Sequence, residues 1–203
     1  MSISERKQRE KEERIRVIVQ AGLQVFARHG YHKASMDMIA EEAELGKSTL
    51  YYYFKSKDEL LQVILESGIN EFFQSLEKSL EEVDDVRGKI EAVTMVSARF
   101  FASYPEYFKL YIYLSAHPGR RTKIFNTLRK TIHTKIIMVN ALFASAKSEG
   151  LIRDDLSLND ISSIYGSMVM GMGILSRRDI SAEELLKRAK IVNEILFKGI
   201  LKS

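Results

Sequence analysis

The chain has 203 residues, 45% of them hydrophobic and 29% charged, with only 2 prolines, 11 glycines and no cysteine. This length supports a real hydrophobic core in one large domain or two small ones, and the absence of cysteine excludes a disulfide framework and any thiolate site. A net charge of +4 and a pI near 9.1 permit a nucleic-acid partner without requiring one. The opening run MSISERKQREKEERIR is too polar for a signal peptide. The longest apolar run, residues 164–175, is far short of a membrane span. A cytoplasmic protein with no membrane partner is expected.

Apolar spacing is helical along the chain, with no run of strand alternation and no internal repeat, which predicts an all-α fold of about nine helices. The first carries Ile15, Ile18, Val19, Gly22 and Phe26 on one stripe and closes at His29-Gly30. A short helix follows over 36–43 with Ser35 placed to cap it, then a tight break at 44–46, then a second short helix over 47–54. Ser56 and Glu59 form a capping box for a long helix whose Leu61, Leu65, Gly68, Phe72 and Leu76 share a face. Longer helices are predicted over 86–103, over 106–116 up to His117-Pro118-Gly119, and along the Phe125, Leu128, Ile132, Ile136, Val139, Phe143 and Ala146 repeat up to Gly150. Ser157 and Asp160 open a glycine- and methionine-rich helix to about Arg177, and Ser181 with Glu184 caps the last helix. The architecture changes near residue 57, giving an expected amino-terminal domain at 1–57 and a second domain at 58–203.

The stretch GKSTLYYYFKSKDEL, Gly46 to Leu60, sets four consecutive aromatic residues between lysines. At 100° per residue four neighbours spread around most of a helix, so they cannot all be core. Leu50 and Phe54, four apart, form the buried pair. Tyr52 then points the opposite way, out toward whatever the helix approaches. Ser48 and Thr49 occupy the first turn, where free N–H groups and the helix dipole attract phosphate. Lys47 beside them reaches a base edge or a phosphate, Tyr51 and Tyr53 flank the outward side, and Lys57 opens the long helix as another phosphate site. Two short helices separated by a three-residue turn, braced by a preceding helix, make a helix-turn-helix at about 35–54.

Residues 18–61 resemble the amino-terminal domain of the tetracycline-repressor (TetR) family of transcriptional regulators. The resemblance rests on Phe26, Gly30-Tyr31, Ser35, Ile39-Ala40, Ala43, the run Lys47 to Phe54, Lys57 and Leu60. It implies a dimeric repressor that binds double-stranded, near-palindromic operator DNA and whose domain at 58–203 holds a small effector and the dimer interface. The family's DNA contacts carry over onto Ser35, Met36, Lys47, Ser48, Thr49, Tyr51, Tyr52, Tyr53 and Lys57. Two positions depart from the family pattern. Glu44 stands where glycine is frequent and so faces a left-handed conformation, and Gly46 stands where a hydroxyl cap is usual.

Other features are read in two ways. The opposite charges four apart between Glu5 and Arg16 suit a solvated helix extension or a basic arm for the minor groove. The aromatic and methionine-rich segments suit plain core or an effector pocket, with Phe72, Phe101, Tyr104, Phe108, Tyr111, Met168 and Met172 as candidate lining. An apolar or aromatic effector is expected from that lining. Gly166 and Gly171, costly within a helix, suit close approach of another helix at a dimer seam with Met170 and Ile195, or local bending. His29, His32, His117 and His133 read as helix-end or surface residues, and no nucleophile motif, metal spacing or phosphate-cradling loop is present. No cofactor or catalysis is expected. The rival classes are a helical-bundle enzyme with a borrowed helix-turn-helix and a protein-interaction module built on the tyrosine face.

Overall fold

The structure, a computed structural model, describes residues 2–115, 123–174 and 180–201, with backbone alone at 3, 114–115, 123–135 and 174. Among the described residues there are nine helices and no strand: α1 Ile3–Lys33, α2 Met36–Glu42, α3 Lys47–Tyr53, α4 Lys57–Glu81, α5 Val86–Ser103, α6 Pro105–Ser115, α7 Lys123–Ser148, α8 Leu158–Ile174 and α9 Ala182–Ile200. The all-α expectation holds. The breaks at His117-Pro118-Gly119 and near Arg177, and the side chains of Phe125, Leu128, Ile132 and His133, lie outside the described residues.

The helix ends follow from local chemistry. Ser2 and Glu5 make a reciprocal capping box at the start of α1, and Ser35 Oγ accepts from Met38 N at the start of α2. Ser56 Oγ accepts from Glu59 N as expected, but the Glu59 carboxylate reaches one residue further back, to Lys55 N at 2.7 Å. Gly30 does not end α1 outright. Its φ of 72° and ψ of 154° break the helix, and a last turn continues to Lys33. The extension of α1 ahead of Ile15 is exposed. It pairs Arg6 with Glu10 four residues on, but Arg16 with Glu13 only three back, a partial match to the expected ladder.

The chain forms two compact units, one from Met1–Gly68 and Glu106–Leu128, the other from Ile69–Pro105 and Arg129–Ser203. The division falls within α4, eleven residues beyond the break read from the sequence at 57. Burial explains the difference. Leu60 and Ile64 on α4 are fully buried, and a Cβ on Gly22 of α1 would lie 2.9 Å from Ile64 and 3.0 Å from Leu60. The first turns of α4 therefore belong to the core of the first unit. The sixth helix joins the same unit through two aromatic rings. Tyr107 lies so close over Gly68 that an added Cβ would stand 2.5 Å from it, and Tyr113 covers Gly30 at 3.2 Å.

In the second unit α5 packs along α9 and against α8. Val93, Val96, Phe143, Ile161, Leu185, Ala189 and Leu196 are among its buried residues. Polar groups are buried with them. Tyr165 shares a 2.8 Å hydrogen bond with the Thr94 hydroxyl and donates to the Ile90 carbonyl at 3.2 Å. At the next residue of α5, Asn193 Nδ2 donates to the Glu91 carbonyl. These bonds fix α8 and α9 against one stretch of α5.

Candidate nucleic-acid interface

The short helices α2 and α3 are strung between α1 and α4. Ile39 and Ala40 of α2 and Leu50 of α3 are buried, and Phe54 closes α3 as its C-cap, 4% exposed. The turn between the helices takes Glu44 through φ 52°, the one positive φ outside glycine among the described residues. The strain expected at that position is therefore present, and it is modest for a single residue. Gly46 serves as the N-cap of α3 without a side-chain hydrogen bond. This leaves the first-turn N–H groups without a competing side-chain acceptor.

Burial of Leu50 and Phe54 turns the opposite side of α3 outward. Tyr52 is 71% exposed and Tyr51 44% exposed, while Tyr53 is half-buried with its ring edge-on to Tyr52 at 5.1 Å. Lys47 and Ser48 are exposed and Thr49 half-buried. The Lys47 ammonium lies 2.7 Å from Asp37, whose hydrogen bond, and then its charge, hold the amine above its ordinary range. This pair lies in solvent, where such pairs contribute little, so a phosphate can displace the carboxylate readily.

Two residues behave differently from their sequence reading. Met36 was grouped with the DNA contacts, yet its side chain is 8% exposed within the core of the first unit. It opens α2 as an anchor turned into the core rather than toward solvent. Lys57, read as a phosphate site, donates its ammonium to the carbonyls of Tyr31 at 2.8 Å and Ala34 at 2.7 Å, with the Tyr31 ring 4.4 Å beneath it. The sequence reading also passed over Lys55. Its ammonium caps α3 by donating to the carbonyls of Tyr51 and Tyr52 and stands 6.0 Å from the Tyr52 ring. A lysine just past a helix end was the available signal.

The candidate effector residues divide between the units. Phe72, Phe101 and Met168 pack against the core of the second unit, and Met172 is part of that core. Phe72 meets Phe100 edge-on at 5.4 Å, and Phe100 meets Tyr104 at 5.0 Å. The Tyr104 hydroxyl approaches Glu71 at 3.4 Å, and loss of hydration, then the Glu71 charge, raise this phenol above its usual range. Phe108, half-buried, and Tyr111, exposed, belong to the first unit. Of the candidate dimer residues, Ile195 is 58% exposed and Met170 half-buried, and an added Cβ on Gly166 or Gly171 would meet nothing within 4 Å. Neither glycine is required by packing among the described residues.

Comparison with known proteins bears on the same segment. Residues 18–64 match the family model described as bacterial regulatory proteins, tetR family. The regulator UidR of Escherichia coli K12 is 24% identical over 186 residues, 91% of each chain. The match to the fatty acid metabolism regulator of Bacillus subtilis is shorter, 29% identical over 76 residues, and spans 39% of that protein. Among solved structures, a transcriptional regulator from Saccharomonospora viridis in complex with choline aligns with a TM-score of 0.80 at 17% identity, over 95% of this chain and 100% of that one. The regulator FadR of B. subtilis in complex with stearoyl-CoA aligns with a TM-score of 0.73 at 18% identity, over 91% and 98%. At these identities the structural likeness shows the fold.

Proposed function

We propose that this chain, which belongs to the TetR family of DNA-binding transcriptional regulators, is a repressor that holds a near-palindromic operator as a homodimer and leaves it when a small apolar effector binds. The observation that carries the reading is the outward face of α3, where Tyr52 is 71% exposed beside Lys47, Ser48 and Tyr51. A recognition helix needs a buried rear that fixes it and a free front that enters the major groove. In this reading Tyr52 meets base edges, while Lys47, Ser48, Thr49, Tyr51, Tyr53 and Ser35 position the helix on phosphates. Residues 1–57 carry the DNA-binding role and 58–203 the effector and dimer roles.

A two-fold protein reads a two-fold site, so half-sites one helical turn or a multiple apart are expected. The exposed Ile164, Ile191 and Ile195, together with the open surface at Gly166 and Gly171, support a four-helix seam of α8 and α9 with their symmetry mates. The rings of Phe72, Phe100, Phe101 and Tyr104 support an apolar effector, as does the stearoyl-CoA bound by the FadR relative. Release needs the effector to prefer the DNA-incompetent state by only about 1–3 kcal/mol, and operator must weaken effector binding by the same factor. Calorimetric titration of acyl-CoA, fatty acid and aromatic probes, with and without operator, tests this. A probe that binds equally in both would not be an inducer, and failure of every probe would remove the apolar effector.

A further inference from the structure

We infer that Lys57 is a positioning residue that closes the helix-turn-helix into a clasped loop, a role separate from any contact its ammonium makes to phosphate. The segment from Ser35 to Ser56 holds α2, the turn and α3. Its two flanks are Ala34, the C-cap of α1, and Lys57, the first residue of α4. The Lys57 ammonium spans them, donating to the Ala34 carbonyl at 2.7 Å and the Tyr31 carbonyl at 2.8 Å. Both acceptors lie at the carboxy-terminal end of α1, where carbonyls lack intrahelical partners and the helix dipole favours a cation.

Tyr31 completes the clasp. Its ring lies 4.4 Å under the same ammonium, and its hydroxyl donates to the carboxylate of Asp58, the next residue of α4. Two consecutive residues of α4 therefore grip one turn of α1 by three hydrogen bonds and a cation–π contact. An ammonium has three donors, and two of them are directed at these carbonyls. Tyr31 is buried and Lys57 half-buried, so these bonds are shielded from water in a way that a surface pair is not. The consequence is geometric. With its ends tied, α3 presents Tyr52 at a fixed angle; untied, the short helices keep only their buried residues, Met36, Ile39, Ala40, Leu50 and Phe54, to set that angle.

The inference rests on the DNA-binding reading for its consequence but not for the clasp itself, and the two are separated by experiment. In free protein, Lys57→Met should raise amide hydrogen exchange across α2 and α3 while the second unit stays protected, and Lys57→Arg should restore protection because a guanidinium donates to both carbonyls and stacks on Tyr31. Unchanged exchange in Lys57→Met would overturn the clasp. On DNA, Lys57→Met should lose about ten-fold or more on the selected site and clearly less on random duplex. A lysine that only contacts phosphate predicts equal losses on all sequences with a slope lower by about 0.9, and that result would also overturn the inference. If Lys57→Met does not fold, Tyr31→Phe, which removes the hydroxyl alone, should shift exchange and site preference in the same direction by less, and no shift would overturn it. A wild-type protein with no preferred duplex would sink the DNA-binding reading and leave the exchange result to decide the clasp.

Discussion

In the first unit Tyr52 leaves 71% of its surface to solvent, whereas in the second Tyr165 is 3% exposed and bonded to Thr94 and the Ile90 carbonyl. Burial pushes the Tyr165 phenol far above its usual range, which the Thr94 hydrogen bond only partly opposes. The same side chain is thus held in reserve at one site and consumed as structure at the other. The difference lies in the elements that carry them. The seven-residue α3 buries one helical residue, Leu50, and a helix so short has no stability of its own. Its neighbours hold it, which frees its outer face for a partner. The nineteen-residue α9 buries Leu185, Ala189, Val192, Asn193, Leu196, Phe197 and Ile200, and the partners of that buried face are within the chain.

If that contrast is correct, the largest effect comes from the rear of α3. Leu50→Ala should lower unfolding stability of the first unit by about 2–5 kcal/mol, read by thermal or urea denaturation, because a fully buried leucine leaves a cavity. Tyr52→Ala, two residues away, should leave stability within about 0.5 kcal/mol. It should instead cost about 1–3 kcal/mol of operator binding, and more on the specific site than on random duplex. Equal losses on all sequences would remove Tyr52 from the groove. Tyr165→Phe should reverse this pattern, lowering stability by about 1–2 kcal/mol through the stranded Thr94 hydroxyl, with site preference intact. A change in site preference would show that the buried network is not purely structural.

The smallest effect concerns pH. The Arg153 hydrogen bond, and then its charge against the desolvation of the pair, hold the Asp155 carboxyl below its ordinary value of 3.8. A depressed folded value means stability that is present above the unfolded pKa and lost as pH falls through the folded one. The Tm difference between wild type and Asp155→Asn should therefore be small at neutral pH and close in acid. A difference that grew on acidification would contradict the sign.

The helices and the faces of α3 were legible in the sequence because they follow from period and capping. Ser35, Ser56 and Ser181 each cap the helix they precede, and the positions of Leu50, Phe54 and Tyr52 follow from a 200° rotation. What could not be read was long-range. Nothing local distinguishes Lys57 from Lys47, yet one ammonium is tied to carbonyls 23 and 26 residues earlier and the other sits on a solvent carboxylate. Met36 stands among the DNA contacts only through the family resemblance, and its burial depends on tertiary packing. The boundary near 57 was drawn where helices lengthen, whereas the compact units follow Tyr107 on Gly68 and Tyr113 on Gly30. Those contacts join residues 39 and 83 positions apart, with no mark in either local pattern.

The central claim, that α3 reads duplex DNA with its tyrosine face, is tested most directly by selecting bound sequences from random duplex DNA with wild type and Tyr52→Ala in parallel. Wild type should enrich one inverted repeat with half-sites about one helical turn or a multiple apart, and Tyr52→Ala should lose or relax that preference at a matched position in each half-site. No enriched sequence with wild type, or the same repeat enriched equally by both proteins, would contradict it.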